Sequence, residues 1–367
     1  MTRKLLSRRN LLVGAGVALA GGGAAAVAVQ GMGSMAAYTA RAAATRAPLA
    51  DNVDLRELVR FATLAPSGHN TQPWRFRLAP KRIVIAPDRL RRTPAVDPDD
   101  HHLFVGLGCA VENLALAARA RGLDAVATLD AVDRLTVELA SSSRYESPLA
   151  RAIPTRQSTR ATFDGRPVPS ADLRLVRDAA RLPGVEVVLI TDRSSLEKLL
   201  KLVVAGNEIQ MADAAFIREL KSWIRFNPRA AMDSGDGLFS ATSGSPDAPS
   251  WLGALLFDHF YRLKAENEKY TEQVRSSAGV AVFLGAREDH ASWIDVGRSC
   301  QRFALQATAL GIRSSFINQP IEVAALRPAL AGLVGAPGRR PDLVMRFGYG
   351  PTLPYSLRRP VEAVFEG

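Results

Sequence analysis

The ten residues Ala65-Pro-Ser-Gly-His-Asn-Thr-Gln-Pro-Trp74 decide how this chain is read. Upstream, Leu55, Leu58, Val59 and Ala62 recur at helical spacing. Downstream, Trp74-Arg75-Phe76-Arg77-Leu78 alternates as a strand does. Pro66 has no N–H to donate and disfavours helical geometry in the residue before it, so the helix stops there. Gly68 permits close approach of backbone to a partner. Ser67, Asn70, Thr71 and Gln72 crowd hydrogen-bonding groups onto one short connection. One reading is a helix-to-strand turn rich in turn formers. The density of side-chain amides ahead of Pro73-Trp74 points instead to a flat polar ligand.

These residues resemble the signature of the nitroreductase (flavin reductase-like) superfamily, Pro-Ser-x-x-Asn-x-Gln-Pro-Trp, which Pro66, Ser67, Asn70, Gln72, Pro73 and Trp74 meet. A second stretch, Arg156-Gln157-Ser158-Thr159-Arg160 followed by Arg166-Pro167-Val168-Pro169 and a helix from Ala171, resembles the opening of that family. Near the C-terminus, Gly348-Tyr349-Gly350-Pro351 to Leu357-Arg358-Arg359-Pro360 is similar to its closing strand and tail. Arg358 takes the place of a basic residue two before the proline, and Ser356 stands where many members carry another Lys or Arg.

The chain also resembles itself. Gly108–Gly122 and Gly297–Gly311 match at an offset of 189 positions, with glycine at each end and Ala115, Leu116 and Ala118 against Ala304, Leu305 and Ala307. Each helical stretch leads to an apolar strand, Asp124–Leu129 or Ser314–Ile317, and then to another, Leu135–Leu139 or Leu343–Phe347. Helix-forming composition produces part of this match by itself, while the glycine spacing and strand order point to duplication. The first half carries the Pro-Ser-x-x-Asn loop and lacks the Arg-x-Ser-x-Arg opening. The second half carries the opening, and its Leu182-Pro183-Gly184 runs straight into the strand Val185–Ile190.

Nitroreductases are homodimers with flavin at the subunit interface, one subunit giving the phosphate clamp and the other the loop. The resemblance therefore implies an α+β, nitroreductase-like fold of two duplicated α/β halves, 47–150 and 151–367. These would form an intrachain pseudo-dimer with one composite FMN site, as in the Acg-like branch, and the fused dimer would be a monomer. For the dianionic phosphate it implies Arg156, Gln157, Ser158, Arg160 and Arg358, since guanidinium forks bind such groups bidentately; arginines of an ordinary surface are the alternative. Pro66, Ser67 and Gly68 would border the isoalloxazine ring, and Asn70 its polar edge or the ribityl hydroxyls. Asn318 and Gln319, in Phe316-Ile-Asn-Gln-Pro320, fall at the pyrimidine side, or form an ordinary turn. Gln72 and Trp74 shape the loop. No protein nucleophile or general base is required, because the chemistry belongs to flavin N5. The implied function is an FMN-dependent oxidoreductase passing hydride or electrons to a nitroaromatic, quinone or similar small-molecule acceptor, with NAD(P)H as donor. The alternative is an FMN-sequestering stress protein with little turnover.

Composition narrows the remaining classes. The 367 residues carry a formal charge of +11. Six of those charges (Arg3, Lys4, Arg8, Arg9, Arg41 and Arg46) lie in residues 1–46, which contain no acid, leaving +5 for the rest. The remaining basic residues are scattered, without the basic-aromatic interleaving of a nucleic-acid surface. Ser7-Arg8-Arg9-Asn10-Leu11-Leu12, the apolar Leu11–Val29 and the small residues at Ala36-Ala37 and Ala40–Ala44 resemble a twin-arginine signal. Residues 1–46 are thus expected to be a signal, or a retained membrane anchor, and linker outside the fold. The translocase would be a partner and the periplasm or cell envelope the destination. Cys109 and Cys300 sit in helical apolar patterns where a buried thiol is the default. The five histidines (His69, His101, His102, His259 and His290) have no metal-ligand spacing; His101-His102 is expected to cap or open a helix. Residues 205–260 contain a Gly/Ser/Pro-rich loop over 233–250 whose length reads as a lid or as disorder, and the resemblance, to a family that inserts a helical segment near here, implies a lid.

Overall fold

The computed structural model describes residues 31–51 and 54–366; the twin-arginine motif and the apolar stretch after it lie outside the described residues. The N-terminal part runs α1 (Met35–Thr45), α2 (Leu55–Thr63), β1 (Trp74–Ala79), β2 (Arg82–Pro87), α3 (His101–Arg119), β3 (Leu123–Leu129) and β4 (Leu135–Ser141). The C-terminal part begins with α4 (Pro148–Ala152), α5 (Ser170–Ala179), β5 (Glu186–Ile190) and α6 (Arg193–Ala212). A run of shorter elements follows: α7 (Ala214–Ser222), β6 (Ile224–Arg225), α8 (Pro228–Ser234), β7 (Leu238–Phe239), α9 (Ser250–Phe260) and α10 (Leu263–Arg275). It closes with β8 (Gly279–Leu284), α11 (His290–Ala309), β9 (Arg313–Phe316), α12 (Gln319–Glu322), α13 (Arg327–Leu333) and β10 (Leu343–Gly348).

The two four-stranded sheets share one topology. Their orders are β1-β2-β4-β3 and β5-β8-β10-β9, and every pairing in both is antiparallel. In each sheet a long helix, α3 or α11, joins the second strand to the third. Those helices cross at glycine. A Cβ on Gly108 would overlap the carbonyl of Ile294, and one on Gly297 would overlap the carbonyl of Val105. Ile294 follows Val105 by the same 189 positions that separate the glycines, so the contact is reciprocal. Around the crossing, Glu112 accepts from Arg298 at 3.1 Å and from Arg302 at 2.9 Å. Gln301 donates to Asn113 at 2.6 Å, and both cysteines are free and buried.

One core spans both sheets. Ile83, Ile85 and Val137 from the first, and Ala281, Phe283, Met345 and Phe347 from the second, pack with Val111, Leu114, Phe303 and Ala304 of the crossing helices. The second sheet is covered on its other face as well, where Val280, Val282 and Val344 meet Leu196, Leu199 and Val203 of α6. Hence β8 and β10 are buried at every residue, whereas β3 alternates and leaves Val126 exposed.

Two expectations are corrected. Residues 31–46 do not all lie outside the fold: Ser34 caps α1 through its Oγ, and Tyr38 and Ala42 are buried against Ala231, Phe239 and Leu357. Alanine reads as signal-cleavage sequence but is also the best helix former, and Tyr38 and Ala42 stand one turn apart on one face. The 233–250 stretch is not one long loop. Asn227 caps α8, Gly235 ends it in the left-handed region at φ 65°, and β7 pairs in parallel with β6.

Candidate functional site

The loop after α2 is strained and held from several sides. His69, Asn70 and Gln72 have φ of 46°, 55° and 54°, a left-handed conformation rare outside glycine. Such geometry persists only when its surroundings enforce it. Ser67 Oγ accepts from the Gln72 backbone N–H at 3.0 Å. The Asn70 carboxamide donates to Gly237 O at 3.0 Å and Leu357 O at 3.2 Å, and accepts from Arg358 at 2.9 Å. Gln72 donates to Gly235 O at 3.0 Å and accepts from the Arg359 N–H at 2.8 Å. The turn between α8 and β7 therefore covers the loop, and the Asn70 side chain is committed to Arg358 and to backbone.

Arg156 and Arg358 meet at the C-terminal end of α2. Arg358 donates through Nε to Thr63 O at 2.7 Å and through Nη2 to Leu64 O and Ala65 O at 3.2 and 3.0 Å. Its Nη1 reaches Asn70, Leu357 O and Ser356 O. Arg156 donates to Leu64 O at 2.7 Å and to Ser158 Oγ at 3.4 Å, while its buried Nε has no partner. Neither forms an ion pair with a carboxylate among the described residues. Burial, with repulsion from Arg46 and Arg156, pulls Arg358 well below the usual arginine range, and burial also lowers Arg156. Buried charge without a counter-charge is costly.

The turn's consecutive residues reach two different clusters. Asn70 touches Arg358, while His69 lies beside Arg160; burial and then Arg160 hold the imidazole down at about 4, so it is neutral at physiological pH. The Arg160 side chain makes no hydrogen bond to protein among the described residues, and its charge is felt by His69, Arg346 and Tyr270. Arg346 is itself buried and donates to Thr159 O, Ala161 O and Gln273 O. Tyr270 stands beside Gln319, whose buried Oε1 has no partner.

An acidic cluster adjoins. Gln210 donates to Glu322 at 2.6 Å, and His102 Nε2 lies 3.6 Å from the other Glu322 oxygen. His101 Nε2 lies 3.2 Å from Asp342, and Asp97 accepts from the His102 and Leu103 N–H groups at the start of α3. Burial pushes Asp97 and Glu322 up to about 7 and Asp342 up to about 6.

The structure thus brings Pro66, Ser67, Gly68, Asn70, Arg156, Ser158 and Arg358 to one place, with Arg160 one step along. Gln157 turns to the C-terminal tail, donating to Leu353 O at 2.6 Å and Pro354 O at 3.2 Å. Asn318 accepts from the Val344 N–H at 2.9 Å and precedes α12, which starts at Gln319. Sequence reasoning missed Arg46, Tyr270, Gln210 and Glu322. Arg46 falls in the segment expected ahead of the fold, and the others stand in no motif that spacing reveals.

The nitroreductase family model matches residues 153–349, which include the Arg156–Arg160 segment and exclude the Pro66–Trp74 loop. A Mycobacterium tuberculosis protein provisionally named NAD(P)H nitroreductase Rv3131 is 27% identical over 335 residues, covering 86% of this chain and 92% of its own. A second from that organism, provisionally named NAD(P)H nitroreductase acg, is 23% identical over 329 residues, covering 85% of this chain and 95% of its own. Among solved structures, the FMN-dependent nitroreductase NfnB of Mycobacterium smegmatis in complex with NADPH is similar with a TM-score of 0.40 and 14% identity, over 60% of this chain and 97% of that one.

Proposed function

Because the chain belongs to the nitroreductase family, we propose that it is an FMN-dependent oxidoreductase in which Arg156 and Ser158 hold the cofactor phosphate and Arg358, whose N–H groups are all taken by protein, adds positive charge beside it. One observation carries this reading. Two buried guanidinium groups converge on the Thr63–Ala65 carbonyls, at the head of the Pro66–Trp74 loop, with no carboxylate partner among the described residues. A helix C-terminus presents roughly half a negative charge. Two full positive charges exceed it, and a phosphate dianion offsets the difference.

Arg160, free of protein hydrogen bonds among the described residues, is a donor for the ribityl chain or the polar edge of the ring. Pro66, Ser67 and Gly68 flank the ring, and the unpartnered Gln319 Oε1 is an acceptor for its pyrimidine side. When bound, FMN supplies two-electron redox chemistry, and the protein binds, orients and tunes it. The strained His69–Asn70 turn fixes the spacing between the Arg358 end and the Arg160 end. The names of the Mycobacterium relatives support NAD(P)H as donor and a nitro compound as acceptor; a quinone is the other acceptor in this reading. We read the matching sheets and the reciprocal glycine contacts as a fused dimer with one composite site, exported folded by the twin-arginine route.

The visible spectrum of the purified chain, with and without added FMN, tests the cofactor. A flavin band is expected, and a colourless protein that takes up no FMN would sink the reading. The cover that Gly235 and Gly237 place over the loop favours a second reading, FMN sequestration with little turnover. Rapid mixing of the FMN-loaded protein with NADPH separates the two: fast bleaching supports the enzyme, and an unchanged flavin band supports storage.

A further inference from the structure

We propose that Arg46, just past α1, is a third arginine at the cofactor phosphate and donates to it directly, so that cofactor retention depends on the N-terminal helix as well as on the two motif segments. This rests on the FMN reading above. Arg46 is only 9% exposed. Its Nη1 donates to Pro154 O at 2.9 Å and Arg156 O at 3.4 Å, and its guanidinium lies 4.2 Å from the Tyr355 ring centre. It has no carboxylate partner among the described residues, and its remaining nitrogen atoms make no hydrogen bond to protein there. A guanidinium stacked on an aromatic face keeps its in-plane N–H groups for a bidentate acceptor.

Three cations repel one another here. Burial, and then Arg156, pulls Arg46 down to about 9, and Arg46 in turn lowers Arg358. Arginine does not give up its proton under physiological conditions, so relief comes from an anion. The surroundings of Arg46 join the two segments that carry the other clamps. Tyr38 donates to Tyr355 O at 2.6 Å, Tyr355 donates to Thr155 O at 3.2 Å, and Arg41 ties α1 to Met232 O at 2.5 Å. A simple buttress holding Pro154 would need the hydrogen bond but not the charge.

Binding of FMN and of riboflavin, which lacks the phosphate, separates ligand from buttress in the full-length protein. Arg46→Gln keeps a donor for Pro154 O and removes the charge. It is expected to weaken FMN binding by about 10-fold or more while leaving riboflavin within about 3-fold of wild type. Arg46→Lys, which restores the charge but not the bidentate fork, is expected to recover part of the FMN affinity. Unchanged FMN affinity in Arg46→Gln would overturn the assignment, as would equal losses for FMN and riboflavin. If the wild-type chain binds neither flavin, the cofactor reading itself falls and takes this assignment with it.

Discussion

Arg358 gives all its N–H groups to six acceptors, five backbone carbonyls and Asn70, so its removal would orphan buried oxygens as well as remove a buried charge. Arg358→Ala should destabilise the cofactor-free chain by about 2–4 kcal/mol in urea unfolding. Arg156, with two acceptors, is the cleaner probe. Arg156→Ala should cost the apo protein only about 1 kcal/mol but weaken FMN about 10- to 100-fold. Equal loss of apo stability in both variants would contradict the geometry. Glu322 has its own signature, with its carboxyl raised to about 7 from 4.5. A folded-state pKa above the unfolded one gives stability that is complete below the unfolded value and lost as pH rises through the folded one. Glu322→Gln should therefore change little at pH 5 and stabilise by about 1–3 kcal/mol at pH 8; a gain equal at both pH values would refute it. Arg156 and Arg358 were legible because motif spacing marks them. Glu322 and Arg46 were not, because only folding brings each against its neighbours.

At the level of elements, the decisive contact is the crossing of α3 and α11. Gly108→Ala and Gly297→Ala each force a methyl group into the opposing helix's carbonyl, which no rotamer relieves. Each should lower stability by about 2–4 kcal/mol in thermal or urea unfolding. The two should also combine non-additively, because both act on one interface. Gly332→Ala in α13 is the control: an added Cβ there meets nothing within 4 Å, so helix propensity makes it neutral or slightly stabilising, by about 1 kcal/mol at most. The strands of the repeat were legible to within a residue or two. Leu343–Gly348 and Arg313–Phe316, for example, fall almost where apolar runs end at turn residues. The elements between α6 and α10 were harder to read. A two-residue strand such as β6 has no period, and the Gly, Ser and Pro of 233–250 serve as caps and tight turns between short elements.

For the whole molecule, the missing parts say as much as those present. The Arg156–Arg160 opening sits only in the C-terminal part and the Pro66–Trp74 loop only in the N-terminal part, yet Arg156 reaches Leu64 O at 2.7 Å within one chain. That division was visible in the sequence because each half lacks one motif of the pair. The attachment of α1 was not, since its buried stripe is only Tyr38 and Ala42 in an alanine-rich segment. A site completed within the chain needs no second copy, so one FMN should saturate each chain. Mass action then separates a fused from an associating dimer, because an intermolecular site loses ligand when its partner dissociates. Titration should end near one FMN per chain, and about 100-fold dilution of the protein at fixed free FMN should leave the bound fraction unchanged. Two FMN per chain would mean that the first half keeps a phosphate clamp its sequence does not display. Release on dilution would mean that the composite site is closed by a second molecule instead of by the crossing at Gly108 and Gly297.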